Sequence, residues 1–202
     1  GDYVLENEKF LVIHLENNKK YKWKYDHKKE NLLPSHIALL EDVENAKKLI
    51  GKDIWLNNIF SDTIFMGQSV KYSGNSIYGT LQDIDDEKRL ELHVFEEIQM
   101  GMSTGMALNG HVPISCFPRM DFLLRCMDSL VNHLDKIQDM TNGQMKPKVI
   151  IRTAVGSREP LNGGVQHTQN YIKQLKEMLT EVKIIELDKT EDIFNEFTKA
   201  YN

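Results

Sequence analysis

From residue 62 onward, short apolar runs alternate with longer segments of helical period, and this alternation constrains the fold more than any other feature of the chain. The runs Thr63–Met66, Leu90–Phe95, Val112–Phe117, Lys148–Thr153 and Val182–Leu187 predict strands. Between most of them lie predicted helices at Glu97–Leu108, Asp121–Met140, Thr168–Leu179 and Glu191–Tyr201. The first is closed by Asn109-Gly110, and the second carries Leu123, Met127, Leu130, Val131, Leu134 and Ile137 on one face. Strands that alternate with helices predict an α/β fold: an open, mostly parallel sheet with helices on both faces. In such a sheet, ligands bind beyond the carboxyl ends of the strands, where the loops collect.

The first 50 residues have a different pattern. Phe10 to Leu15 is a β-type run, Asn17-Asn18 is a turn signal, and Tyr21, Trp23 and Tyr25 alternate with Lys22 and Lys24. Period two predicts a small hairpin with one aromatic and one lysine face. Ser35 opens an amphipathic stretch carrying Ile37, Leu40, Val43, Ala46 and Leu49, and Gly51 stops it. The division expected is 1–50, a hairpin and helix of unassigned role, and 51–202, the α/β domain.

Composition narrows the function. A chain of 202 residues with formal net charge −5 lacks the excess of cations that phosphate contacts require, so nucleic acid is not the expected partner. The lysine-aromatic hairpin is read instead as an aromatic face packed on the protein with its lysines in water. No run approaches the roughly 20 apolar residues of a membrane helix, and the start has no signal-peptide pattern, so a cytoplasmic protein without a membrane partner is expected. Cys116 and Cys126 fit a reduced thiol pair, and the seven histidines are scattered, so no metal site is expected.

Two connections are long for a compact domain, 67–88 and 154–167, and long loops of this kind are enriched in function. Neither has the spacing of a phosphate-binding loop, and the Gly101 to Gly105 segment lies inside a predicted helix instead of before one. Gly101 and Gly105 fall one turn apart, where missing side chains admit a close neighbour: another subunit, or the chain's own sheet.

The run from Phe95 to Phe117, FEEIQMGMSTGMALNGHVPISCF, resembles the core of the pyrimidine-binding domain of thiamine-diphosphate enzymes. The family is that of 2-oxo acid dehydrogenase beta subunits and transketolase-like enzymes, in which an acidic residue opens a glycine-spaced helix and a strand begins near Gly-x-x-Pro. Further similarities follow in order. Phe117 through Phe122, with Asp128 and Asn132, is similar to the family's F-x-x-x-x-F…D-x-x-x-N pattern. The segment from Ile151 to Arg158 is similar to its strand and V-G-G-R turn, and Gln166 to Gln169 to its Q-H-S-Q. The resemblance covers about residues 62–202.

On its own, Glu96 is explained by the helix start, where a carboxylate meets unpaired amide groups and the positive end of the dipole. The resemblance implies more. It makes Glu96 the catalytic acid that hydrogen-bonds the 1′ nitrogen of the aminopyrimidine, with Glu97 as the register alternative. It makes Phe122 the ring that stacks on that pyrimidine, and His167 a catalytic histidine near the reacting carbonyl; by themselves these residues are explained as a core phenylalanine and a helix-start histidine. Arg152 and Arg158 suit either an acidic ligand or surface ion pairs. The implied cofactor is thiamine diphosphate, shared with a partner: a diphosphate-binding, alpha-type subunit that holds the magnesium, in a homo- or hetero-oligomer.

The G-D-G…N motif of that second site is not found in this sequence, and Gln68 and Ser69 stand where beta subunits usually have acidic residues. The function expected is therefore the pyrimidine-binding subunit of a split enzyme with 2-oxo acid dehydrogenase chemistry, inactive alone. The alternatives are a noncatalytic pseudoenzyme or assembly module, and a subunit for ketol transfer.

Overall fold

The computed structural model describes residues 9–15, 62–73, 76–82, 84–156, 158 and 162–201. Among the described residues six strands are formed: β1 (Lys9–Leu15), β2 (Thr63–Gly67), β3 (Arg89–Glu91), β4 (Val112–Cys116), β5 (Ile150–Val155) and β6 (Val182–Leu187). They join one sheet in the order β3-β2-β4-β5-β1-β6, and every pairing is parallel. The helices are α1 (Ser76–Leu81), α2 (Glu96–Leu108), α3 (Met120–Leu123), α4 (Ile137–Met140), α5 (Ile172–Met178) and α6 (Thr190–Tyr201).

Buried strands of a parallel sheet send neighbouring residues to opposite faces, and β5 does this. Ile150 packs with Phe65, Ile114, Leu81, Ile193 and Phe197, under α1 and α6. Ile151 packs with Met100, Leu123, Leu130, Ile172 and Leu175, under α2, α3 and α5. Each such large apolar side chain, once fully buried, contributes about 1.5–3 kcal/mol. The open parallel sheet with helices on both faces is thus the expected fold.

Several boundaries differ from the sequence reading, for identifiable reasons. The Phe10 to Leu15 run forms a strand, but its partners are β5 and β6, both parallel, so this strand belongs to the main sheet. The remainder of the expected hairpin, the helix over residues 35–49 and the boundary near residue 50 lie outside the described residues. The expected strand Leu90–Phe95 shortens to β3, because the chain turns away through an Phe95 N–H to His93 carbonyl bond of 2.8 Å toward α2.

The expected helix Asp121–Met140 is not continuous. It runs through α3, a 3-10 turn at Leu124–Cys126, a π turn at Ser129–Leu134, and α4. In the π turn the Asp135 N–H reaches the Leu130 carbonyl at 2.9 Å, one residue further back than in an α-helix. Asp135 is fully buried there, accepting N–H bonds from Thr180, Glu181 and Val182. The expected helix from Thr168 begins only at Ile172. Residues 168–171 are held by other contacts: Thr168 Oγ1 on the Gly164 carbonyl, Gln169 on Asp121, and the Ile172 N–H on Asn170 Oδ1.

Candidate functional site

From β2 the chain moves to β3 on one side, and from β4 it moves to β5 on the other, so the connections part between β2 and β4. That is where an open parallel sheet leaves a crevice at its carboxyl edge. The two strand ends are tied by Gln99, whose side-chain amide donates to Ser115 Oγ at 2.9 Å and the Cys116 carbonyl at 3.1 Å in β4, and reaches the Met66 carbonyl of β2 at 3.5 Å. Gly67 closes β2 with φ +146°, and a methyl there would lie 2.2 Å from the Cys116 carbonyl oxygen. Only glycine permits this approach without strain.

A cleft of about 530 Å³ opens at these strand ends. Gln68 enters it after β2, Val94 and Glu96 after β3, Asp121, Phe122 and Arg125 after β4, and Gln166 and Gln169 after β5. Four successive strand-to-helix connections therefore supply one site.

Glu96 opens α2 and is 2% exposed, whereas Glu97 is exposed and accepts a bond from Ser129 Oγ. Consecutive helical residues point about 100° apart, so only one of the pair can face the cleft. Gln68 Nε2 donates to Glu96 Oε1 at 3.3 Å. Arg125 Nε lies 3.2 Å from Glu96 Oε2, but without hydrogen-bonding alignment, so Oε2 is buried with no hydrogen-bond donor among the described residues. The ring of Phe122 meets that of His167 edge-on, with centroids 5.5 Å apart. Gly156 lets the His167 segment approach, since a methyl there would lie 1.8 Å from the His167 carbonyl oxygen.

The structure thus brings Glu96 and Phe122 to one cleft, with His167 against Phe122. Arg152 does not lie on an exposed surface: it is buried in β5 beside Cys116, while Arg158 is exposed. Gly101 and Gly105 do not lie over the described strands of the sheet, because a methyl at either would meet nothing within 4 Å among the described residues. Around them Phe95, Ile98, Met102 and Leu108 are exposed.

Local pattern did not single out Asp121 or Arg125, and Gln169 entered only as the last residue of the Gln166 to Gln169 run. Asp121 Oδ1 accepts from Gln169 Nε2 at 2.8 Å, and Gln169 Oε1 accepts from the Tyr171 hydroxyl. The signal available was the adjacency of Asp121 to Phe122. Among the described residues, no cluster of three or more histidine, cysteine, aspartate or glutamate side chains suits a metal ion, and no helix is long and apolar enough to cross a membrane.

Fold and cleft together define an α/β domain of the open parallel class whose carboxyl-edge cleft is lined by carboxylates, amides and an aromatic ring. The chain is 29% identical over 117 residues to the pyruvate dehydrogenase E1 component subunit beta of Rickettsia bellii (strain RML369-C), a match covering 56% of this chain and 35% of that protein. It is 28% identical to the subunit of the same name from Rickettsia conorii (strain ATCC VR-613 / Malish 7), with the same coverage. No protein-family model matches. The match spans about a third of the length of these curated relatives. These similarities support a domain of the 2-oxo acid dehydrogenase beta, transketolase-like kind.

Proposed function

We propose that this chain is the pyrimidine-binding subunit of a thiamine-diphosphate-dependent enzyme with 2-oxo acid dehydrogenase chemistry, the binding domain taking in β1 together with residues 51–202. One observation carries the reading: of two adjacent glutamates at the start of α2, it is Glu96 that is buried in the cleft shared with Phe122. The residues present fit the aminopyrimidine half of the cofactor. Phe122 offers an aromatic wall for a flat ring, and Glu96 Oε2 is a buried acceptor without a hydrogen-bond donor.

When bound, thiamine diphosphate would supply the carbon that adds to a 2-oxo acid and takes up the electrons released on decarboxylation. The chain's own part is positioning and proton transfer. Glu96 would hold a proton between Oε2 and the 1′ nitrogen of the ring and return it each turnover, a contribution of about 10²–10⁴-fold. Gln68 would orient the carboxylate from its other oxygen. His167, braced edge-on by Phe122, would serve protons near the reacting carbonyl. The diphosphate and its magnesium belong on an alpha-type partner subunit. The open Gly101–Gly105 face of α2, with its exposed apolar neighbours, supports a subunit interface there.

One contact favours a second reading, a noncatalytic module. Arg125 Nε sits 3.2 Å from Glu96 Oε2, the oxygen that a bound ring nitrogen would need.

The test is proton exchange at the cofactor's thiazolium carbon, followed by NMR in the complex with the diphosphate-binding subunit. Glu96→Gln should slow exchange by about 10²–10⁴-fold and Glu97→Gln hardly at all. Loss of exchange in Glu97→Gln alone would shift the assignment to Glu97. No effect of either variant, in a complex that binds cofactor, would refute the catalytic reading.

A further inference from the structure

We propose that Asp121 is a second carboxylate receptor of the cleft, accepting an N–H of the amino group on the flat ring taken up by Glu96 and Phe122. The inference rests on the pyrimidine-binding reading and adds a residue to it.

The argument follows the two oxygens of the carboxylate. Oδ1 is fully engaged: Gln169 Nε2 donates to it at 2.8 Å and the Gln169 backbone N–H approaches at 3.4 Å. The Gln169 amide is oriented by its own oxygen, which accepts from the Tyr171 hydroxyl, and the Gln169 backbone N–H beside it can act only as a donor. Oδ2 is buried and has no hydrogen-bond partner among the described residues. Withholding every donor from a buried carboxylate oxygen is costly, and such an atom calls for a ligand that supplies one.

The neighbourhood selects the ligand's chemistry. Asp121 precedes the aromatic wall residue Phe122 and lines the same cleft as Glu96. Arg125, the cation in that lining, is directed at Glu96. The cleft therefore presents two acids to one base, which suits a planar ring rich in N–H donors and disfavours an anion. An aminopyrimidine meets both carboxylates: its ring nitrogen shares a proton with Glu96 and its exocyclic amino group donates to Asp121.

Gln169 makes the proposal testable by a near-isosteric change. In Asp121→Asn, the Gln169 N–H still requires an oxygen, so the new side-chain oxygen takes the Oδ1 place and the NH₂ takes the Oδ2 place. The cleft then offers a donor where it offered an acceptor, and its ring preference should change from amino to oxo.

The experiment is ligand-observed NMR titration of the full chain with 4-amino-2,5-dimethylpyrimidine and with its 4-oxo counterpart. The wild-type chain should favour the amino ring by about 10- to 100-fold, the range for a hydrogen bond to a charged group. Asp121→Asn should abolish or reverse that preference. Asp121→Ser, which removes the charge and shortens the side chain, should lose the preference without reversing it and serves if Asp121→Asn does not fold. Wild-type binding of the amino ring with an unchanged preference in both variants would overturn the role of Asp121 and leave the pyrimidine reading standing. No saturable binding of either ring to the wild-type chain would overturn both.

Discussion

Asp135 gives the most direct test of how the wall of the cleft is held in place. Its carboxylate is fully buried and accepts the N–H groups of Val182 at 2.8 Å, Glu181 at 3.0 Å and Thr180 at 3.1 Å. Thr180 Oγ1 adds a bond at 3.1 Å, and Lys136 Nζ lies 2.7 Å from Oδ2. These contacts clamp the helical segment that carries Asp121, Phe122 and Arg125 to the start of β6. Burial alone would raise the proton affinity of Asp135, but Lys136 and the three N–H donors outweigh it and bring the pKa from 3.8 down to about 2. A folded-state pKa below the unfolded one means that the stabilisation is fully present above about pH 4 and is lost as pH falls toward 2. It is on the order of 2 kcal/mol.

Asp135→Asn removes the charge and turns an NH₂ toward groups that are themselves donors. The expected loss at pH 7 is about 2–4 kcal/mol, which combines the lost charge with the mismatched donors. For a chain of this size that lowers the melting temperature by roughly 4–16 °C. Urea unfolding followed by circular dichroism, at several pH values from 7 to 2, measures both the loss and its pH dependence. The gap between wild type and variant should narrow as pH falls below about 4. A loss under about 0.5 kcal/mol at pH 7, the size of an ordinary surface change, would refute the clamp. A gap that stays constant down to pH 2 would refute its electrostatic origin.

Other expectations follow from the close contacts and open faces. Gly67→Ala would set a methyl 2.2 Å from the Cys116 carbonyl oxygen at a positive φ, so thermal melts should show a loss of about 3 kcal/mol or more. Gly101→Ala with Gly105→Ala meets no atom within 4 Å among the described residues. The pair should therefore stabilise the isolated chain by up to about 2 kcal/mol through helix propensity, while sedimentation shows weaker self-association. A destabilised double variant would mean that α2 is covered within its own chain. Burial pushes the Cys116 thiol up to about 11 and the Cys126 thiol up to about 12, so both should resist an aromatic disulfide reagent at pH 8 until the protein is unfolded. Prompt reaction of either in the native protein would contradict that burial.

The sequence by itself determined the elements that depend on neighbours in the chain. Apolar runs and helical period located β2, β4, β6, α2 and α6, and Asn109-Gly110 ended α2, where Gly110 adopts φ +92°. The ordered motifs around Glu96, Phe122 and His167 singled out three residues that the fold brings to one region.

Tertiary structure decided what depends on residues far apart in sequence. Asp121 and Gln169 are 48 positions apart, and Asp135 and Val182 are 47 apart. Hydrophobic periodicity carries no information about such pairs, because the strand order is what makes them neighbours. The same cause broke the 120–140 helix: period alone favours a continuous α-helix, but the bonds waiting at 180–182 draw Asp135 inward through a π turn. Glycine at 67 is legible as a turn residue, yet only the parallel pairing of β2 with β4 puts the Cys116 carbonyl where any side chain would strike it.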